Sequence, residues 1–299
     1  MKRAVSISIG SSKRDKAVEI ELLGERIRIE RIGTDGDMEK AAQLFQELDG
    51  HVDAFGVGGA DLSIVVDGHA YPLHSARKLV RHIRKTPTVD GAGLKNTLEY
   101  QLAGFIDRNL GEHVQPRRAF INVGSDRWGM SVGFAQAGYE CLFGDLMFAL
   151  GLNIPIRSIK SVKRLASVLM PIVGRFPFKW LYPTGTEQEK RTPRWGPAFD
   201  WATVIAGDAL YITRYMPDRL PGKVIATNTT TPADVALFRQ AGVKYLVTST
   251  PVLEGRSFGT NMMEAALVAA AGKGRVLTTE ELQALIDRLG LQPQLQKLD

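Results

Sequence analysis

A single cysteine, Cys141, occurs in 299 residues. A lone thiol cannot build an internal disulfide framework, and the expectation is a reducing, cytoplasmic setting. Inside an apolar run, Cys141 reads as a small core residue. Long apolar runs are missing as well; none approaches the ~18 residues that a bilayer span needs. The opening Met1-Lys2-Arg3 and AVSISIG have neither an extended apolar core nor a small-residue cleavage site, so they read as a strand and not a signal peptide. The patterns H-E-x-x-H, C-x-x-C and G-x-x-x-x-G-K-[ST] are absent, which argues against common zinc and P-loop chemistry. His69 and His74 flank Tyr71-Pro72 with no acid at a ligand spacing, and no metal site is expected.

Charge is present but uneven. The net charge is +6. Leu152–Trp195 alone holds nine basic residues against Glu187 and Glu189, and the rest of the chain nets −1. The chain as a whole is therefore not a basic nucleic-acid binder, and no nucleic-acid partner is expected. The basic segment suits a local partner: a phosphate, a carboxylate substrate or a membrane surface. Within it, Leu165–Tyr182 is apolar with Arg175 and Lys179 interspersed. It reads as a lid, a homodimer contact or a membrane-surface patch, and Pro171, Pro177 and Pro183 argue against one long helix.

Strands and helices alternate, which predicts an α/β protein. Residues 1–110 read as an N-terminal α/β domain of substrate type, with strands at Ala4–Ile9 and Val52–Val57, hairpins around Gly24-Glu25 and Asp67-Gly68, and a helix over Asp37–Leu48. Residues 111–299 read as a Rossmann-like, doubly wound parallel sheet with an insertion at about 146–200. Its strands are predicted at Ala119–Val123, Tyr139–Phe143, Ala202–Ala206, Lys223–Thr227 and Lys244–Thr248, ordered 3-2-1-4-5. Helices follow at Pro232–Gln240, Gly259–Ala271 and Thr278–Leu289.

The run Arg118–Asp145 carries the nucleotide-type signal. A strand ends at Gly124-Ser125-Asp126-Arg127-Trp128-Gly129, a helix follows, and Asp145 ends the next strand 21 positions after Gly124. A glycine turn at a helix N-terminus offers N–H groups to a phosphate, and an acid about 20 residues on accepts from ribose hydroxyls. Asp126 stands where the middle glycine of G-x-G-x-x-G belongs; its charge opposes a pyrophosphate unless Arg127 offsets it. NAD is the expected cofactor, with NADP disfavoured because Asp145 would repel a 2′-phosphate. The cofactor candidates are Gly124, Ser125, Asp126, Arg127, Gly129, Asp145, Asn228 and Ser249.

Lys95 leads the catalytic candidates. A lysine buried in a cleft, with a lowered pKa, can exchange protons with a hydroxyl or carbonyl, with Asp90 and Asp61 as candidate carboxylate partners and Asp90 or Asn96 assisting. Glycine-containing loops at Gly10–Lys13, Gly33–Asp37, Gly56–Asp61 and Asp90–Asn96 are expected to converge on one rim. Ser11, Ser12, Asp61, Arg256 and Asn261 are substrate-binding candidates for a small carboxylate.

Several segments resemble a bacterial family of quinate 5-dehydrogenases. They are SIGSSKRD at Ser8–Asp15, ERIGTDGDM at Glu30–Met38, VDGAGLKNTLE at Val89–Glu99, GDL at Gly144–Leu146, GLNIP at Gly151–Pro155, WLYPTG at Trp180–Gly185 and RSFGTNMMEAA at Arg256–Ala266. Gly259-x-x-Met262-Met263 is similar to the G-x-x-M-L motif of shikimate and quinate dehydrogenases, with Ala266 where those enzymes place a glutamine. The resemblance implies a two-domain NAD(P)-dependent oxidoreductase acting on a hydroxylated carboxylic acid between the domains. A non-redox protein that binds an acyl or lipid ligand, or an S-adenosylmethionine-dependent transferase, would use the same crevice.

Overall fold

The computed structural model describes residues 1–182, 191–250, 252–253 and 256–298. The first sheet begins with β1 (Lys2–Ser8), whose last five residues are buried on both faces, as befits a central strand. It continues with β2 (Lys16–Leu22), β3 (Glu25–Gly33) and, after α1 (Met38–Leu48), β4 (Ala54–Gly58). β2 alternates exposed and buried residues, the mark of an edge strand with one solvated face. A separate hairpin, β5 (Ser63–Val66) and β6 (His69–Pro72), precedes β7 (Thr88–Val89). The sheet order is β2-β3-β1-β4-β7, parallel except for the β2–β3 hairpin.

From β7 the chain enters α2 (Ala92–Asn96), a 3₁₀ turn at Glu99–Gln101 and α3 (Leu102–Leu110). The second sheet then starts with β8 (Arg118–Ile121), α4 (Trp128–Gln136) and β9 (Glu140–Phe143). The insertion follows as α5 (Asp145–Leu150), α6 (Ile159–Val173), α7 (Phe178–Leu181) and α8 (Gly196–Trp201). The sheet resumes with β10 (Val204–Gly207), α9 (Ala209–Tyr215), β11 (Val224–Thr227), α10 (Pro232–Gln240) and β12 (Tyr245–Thr248). A short ribbon, β13 (Val252–Leu253) and β14 (Arg256–Ser257), precedes α11 (Thr260–Ala271), α12 (Thr279–Arg288) and β15 (Gln294–Lys297). The protein is α/β, with a Rossmann-like second sheet.

Three sequence expectations are corrected. The second sheet runs β9-β8-β10-β11-β12-β15, so its first five strands in chain order lie 2-1-3-4-5 and not 3-2-1-4-5. The cause is the path after β9: Ile156 makes only one antiparallel bridge to Phe143, and the chain then crosses to the far side of β8. The sheet is also not wholly parallel, because β15 caps β12 antiparallel. Finally, α6 is a 15-residue helix despite Pro171. That proline sits in the last turn, so it removes one of the helix's final hydrogen bonds and no turn beyond it has to be supported; Pro183 falls outside the described residues.

One helix crosses the division expected at residue 110. α11 is apolar nearly all round and buried from Thr260 to Ala270 apart from Asn261, so it needs neighbours on every side. It finds them on β1, β3 and β4 of the first sheet, together with α2. Gly56 and Gly91 permit this: a side chain at either would press on the backbone of Asn261. After β14 the chain thus returns through α11 to roof the first sheet.

Candidate functional site

In an open α/β sheet a ligand crevice lies outside the strand C-termini where successive connections diverge, here between β8 and β10. β8 leads into Asn122 and the Gly124 turn, and β10 ends at Gly207-Asp208. The two ends touch. Gly207 has φ +130°, and any side chain there would overlap the Asn122 amide. That amide donates from Nδ2 to the Asp208 carbonyl at 3.0 Å.

Residues from the first sheet close over this point. Lys95, on α2, is buried. Its Nζ donates to Asp61 Oδ1 at 2.6 Å and to Asp126 Oδ1 at 2.7 Å. Arg127 is buried beside it and donates to Glu99 Oε1 at 2.6 Å and to Asp208. Its Nε lies 3.2 Å from Asp126 Oδ2. Asp126, in the position of the missing glycine, therefore bridges two cations, one from each sheet. Tyr182, just after α7, accepts from the Asp61 backbone N–H at 2.9 Å and donates to Asp61 Oδ2 at 3.2 Å.

The electrostatics reverse one expectation. Burial by itself would lower the Lys95 ammonium, but Asp126 and Asp61 outweigh it and hold the charge above its ordinary range. The group poised near neutrality is Asp61: burial, with Asp126 and Asp90 nearby, pushes it up to about 6 against the pull of Lys95. Tyr182 and Tyr211 are both raised, first by burial and then by the surrounding carboxylates. Glu99 is raised by burial against Arg127, and its Oε2 has no partner.

The remaining candidates fall in several places. Asp90 caps backbone, accepting from Leu62 N–H at 2.6 Å and Ala92 N–H at 3.1 Å. The Asn96 amide is spent on the Ala92 carbonyl. Asp145 accepts from Gly124 N–H at 3.0 Å and Ser125 N–H at 2.8 Å, the donors expected to face a phosphate. Gly129 serves helix packing: a side chain there would overlap the Lys95 carbonyl. Asn228 reaches Asp208 at 3.4 Å, and Ser249 keeps a fully buried hydroxyl with no partner among the described residues. Ser11 and Ser12 form a turn; the Ser12 N–H donates to Asp35 and the Ser11 carbonyl accepts from Arg31. Asn261 donates to Ser6 Oγ at 2.6 Å, on the first sheet. Arg256 lies in β14, with its side chain outside the described residues.

Sequence reasoning passed over Asn122, Glu99, Asp208 and Tyr182. Glu99 follows Lys95 by four residues and Asp208 ends a predicted strand, so both carried a positional signal. Tyr182 was visible only as part of an apolar segment.

For a nucleotide, this arrangement offers a neutralised Asp126, while buried Asp145 spends both carboxylate oxygens on the Gly124 and Ser125 amides. It offers no open cradle at Gly124–Ser125 while Asp145 holds those amides.

The comparisons bear on the chain as a whole. A family model described as Domain of unknown function (DUF8754) matches residues 93–298. The chain belongs to this family. A second model, Domain of unknown function (DUF8753), matches residues 3–90, so the two models meet just before Lys95. Among curated proteins no match is found. Among solved structures, an NAD-dependent malic enzyme from Thermotoga maritima is similar at 11% identity and TM-score 0.39, over 95% of this chain and 75% of that one. A protein from Mycobacterium smegmatis, solved with β-D-fucofuranose, is similar at 10% identity and TM-score 0.33, over 100% of this chain and 92% of its own.

Proposed function

We propose that the protein is an oxidoreductase that oxidises or reduces a hydroxylated carboxylic acid in the crevice between the sheets, with a nicotinamide dinucleotide as hydride carrier. The observation that carries this reading is the hydrogen-bonded Asp61–Lys95–Tyr182 set, with Lys95 buried and Asp61 and Tyr182 half-buried, at the switch point of a Rossmann-like sheet. Oxidising an alcohol needs a base for the hydroxyl proton and a positive charge for the oxygen that remains. Asp61, poised at about 6, is ionised in neutral solution and suits the first task. Lys95 stays charged and suits the second. Tyr182 holds Asp61 through both its N–H and its carboxylate, which fixes the base relative to the ammonium. The proton-transfer role thus moves from Lys95 to Asp61, with Lys95 as its electrostatic partner.

The dinucleotide, when bound, supplies the hydride acceptor. Asp145 would meet its ribose, and a carboxylate there favours NAD over NADP. Occupation of the Gly124–Ser125 amides by a phosphate requires Asp145 to release them. The sequence resemblance to the quinate 5-dehydrogenases points to the same substrate class.

Calorimetric titration with NAD, NADP and S-adenosylmethionine tests the reading. NAD should bind, and Asp61→Asn should keep that binding while losing turnover across a panel of hydroxylated carboxylic acids. Absence of nicotinamide binding overturns the oxidoreductase reading, and binding of S-adenosylmethionine alone replaces it with a transferase.

A further inference from the structure

The insertion leaves one helix face unused by the crevice. α6 buries Val162 and Ala166 and is pinned to the β5–β6 hairpin: Lys163 pairs with Asp67, and His74 N–H donates to the Gly174 carbonyl at 2.8 Å. Its opposite face is exposed and follows a four-residue step through Lys160, Arg164, Val168 and Ile172, continued by Arg175. Val168 is 65% exposed and Ile172 58%. Beyond the helix end, Phe176 stacks edge-on with Trp180, which is 74% exposed. Lys160, Arg164, Arg175 and Lys179 have no acidic partner among the described residues. No Asp or Glu occurs from Leu146 to Thr186.

We infer that this face docks the protein on an anionic lipid bilayer. Bare branched apolar residues and a tryptophan beside cations that meet no described acid, Arg175 donating to the Pro171 carbonyl of its own helix end, match the two layers of a membrane interface. The indole and aliphatic groups enter the acyl boundary, and the long basic side chains reach outward to lipid phosphates. Clustered cations are attracted to an anionic surface over a Debye length, and an acid-free stretch removes the opposing repulsion. No described helix is long and apolar enough to cross a membrane, so the contact is peripheral. The inference does not depend on the redox reading of the crevice.

Co-sedimentation of the full chain with vesicles of phosphatidylglycerol and phosphatidylcholine, against phosphatidylcholine alone, tests it. Binding should require phosphatidylglycerol and weaken with salt. Each neutralised cation in Arg164→Gln, Arg175→Gln and Lys179→Gln should cost about five-fold in affinity. Trp180→Ala should weaken binding while leaving the thermal melt unchanged, because the side chain is exposed. Absence of phosphatidylglycerol binding, or binding indifferent to the three glutamine substitutions, overturns the proposal. So does light scattering that shows a dimer split by Trp180→Ala, which would assign the face to a second copy of the chain.

Discussion

At the scale of single residues, the crevice depends on two carboxylates sharing one ammonium. Lys95 lies within hydrogen-bonding distance of both Asp61 and Asp126. Without that cation, Asp61 would face Asp126 and Asp90 in a buried place with nothing to hold its charge. Lys95→Met should therefore raise Asp61 above its present value of about 6, by the 1–3 pH units (roughly) that one adjacent opposite charge normally exerts. Carboxyl ¹³C shifts followed through a pH titration read this directly, with no substrate needed. An unchanged Asp61 titration would show that Lys95 does not set it. The same logic explains why Asp126 is tolerated where a glycine was expected. Its charge is absorbed by Lys95 and Arg127, so it ties the two sheets together and does not stand unpaired at the turn.

At the scale of elements, α4 carries the seam between the sheets. Gly129 and Gly133 are four apart on one face, and side chains there would overlap the carbonyls of Lys95 and Tyr100. Helix propensity alone predicts that Gly→Ala stabilises an exposed helix by about 1 kcal/mol. At these two positions the sign should reverse, with a loss of about 1–3 kcal/mol from forced separation of the backbones. Urea melts of Gly129→Ala and Gly133→Ala check it, and stabilisation in either would refute the packing role. Most elements were legible in the sequence because local chemistry marks them. Thr231 and Thr278 each form a capping box at a predicted helix start, and Asp37 caps α1. The strand order was not legible, because one bridge at Ile156 in place of a third strand is a tertiary event. Nor was the role of Gly129, whose spacing fits a phosphate turn and a helix contact equally well. The site was half legible: Lys95 and Asp61 were singled out for residue type and loop position. Asp61 was also among the carboxylates expected beside Lys95; the second carboxylate on the ammonium, and the sign of the Lys95 shift, required knowing what Asp126 touches.

At the scale of the whole molecule, the chain's two ends are joined by a buried carboxyl. Glu264 on α11 accepts from the N–H groups of Gly93 at 3.0 Å and Leu94 at 3.3 Å, at the start of α2. It thus couples the returning C-terminal helix to the helix that carries Lys95. Burial, then the charge of Asp90, push Glu264 up to about 8, although these amides and Lys95 pull the other way. In the unfolded chain it titrates near 4.5. The native state therefore holds this proton more tightly. The stability that results is fully present below about pH 4.5 and is lost as pH rises through about 8. Asp61, raised to about 6, acts in the same sense but is exhausted at lower pH, so the change above pH 7 belongs largely to Glu264. Stability should fall by about 1 kcal/mol between pH 7 and pH 8, the size expected for one proton released across its native pKa. Glu264→Gln keeps a carbonyl oxygen for Gly93 and Leu94 but has no proton to lose, so its stability should be flat over that interval. Urea denaturation of both proteins at pH 7 and pH 8 decides the matter. An equal slope in the two would mean that Glu264 is already ionised in the folded chain, and that α11 is held to α2 by a charged carboxylate and not by a neutral acid.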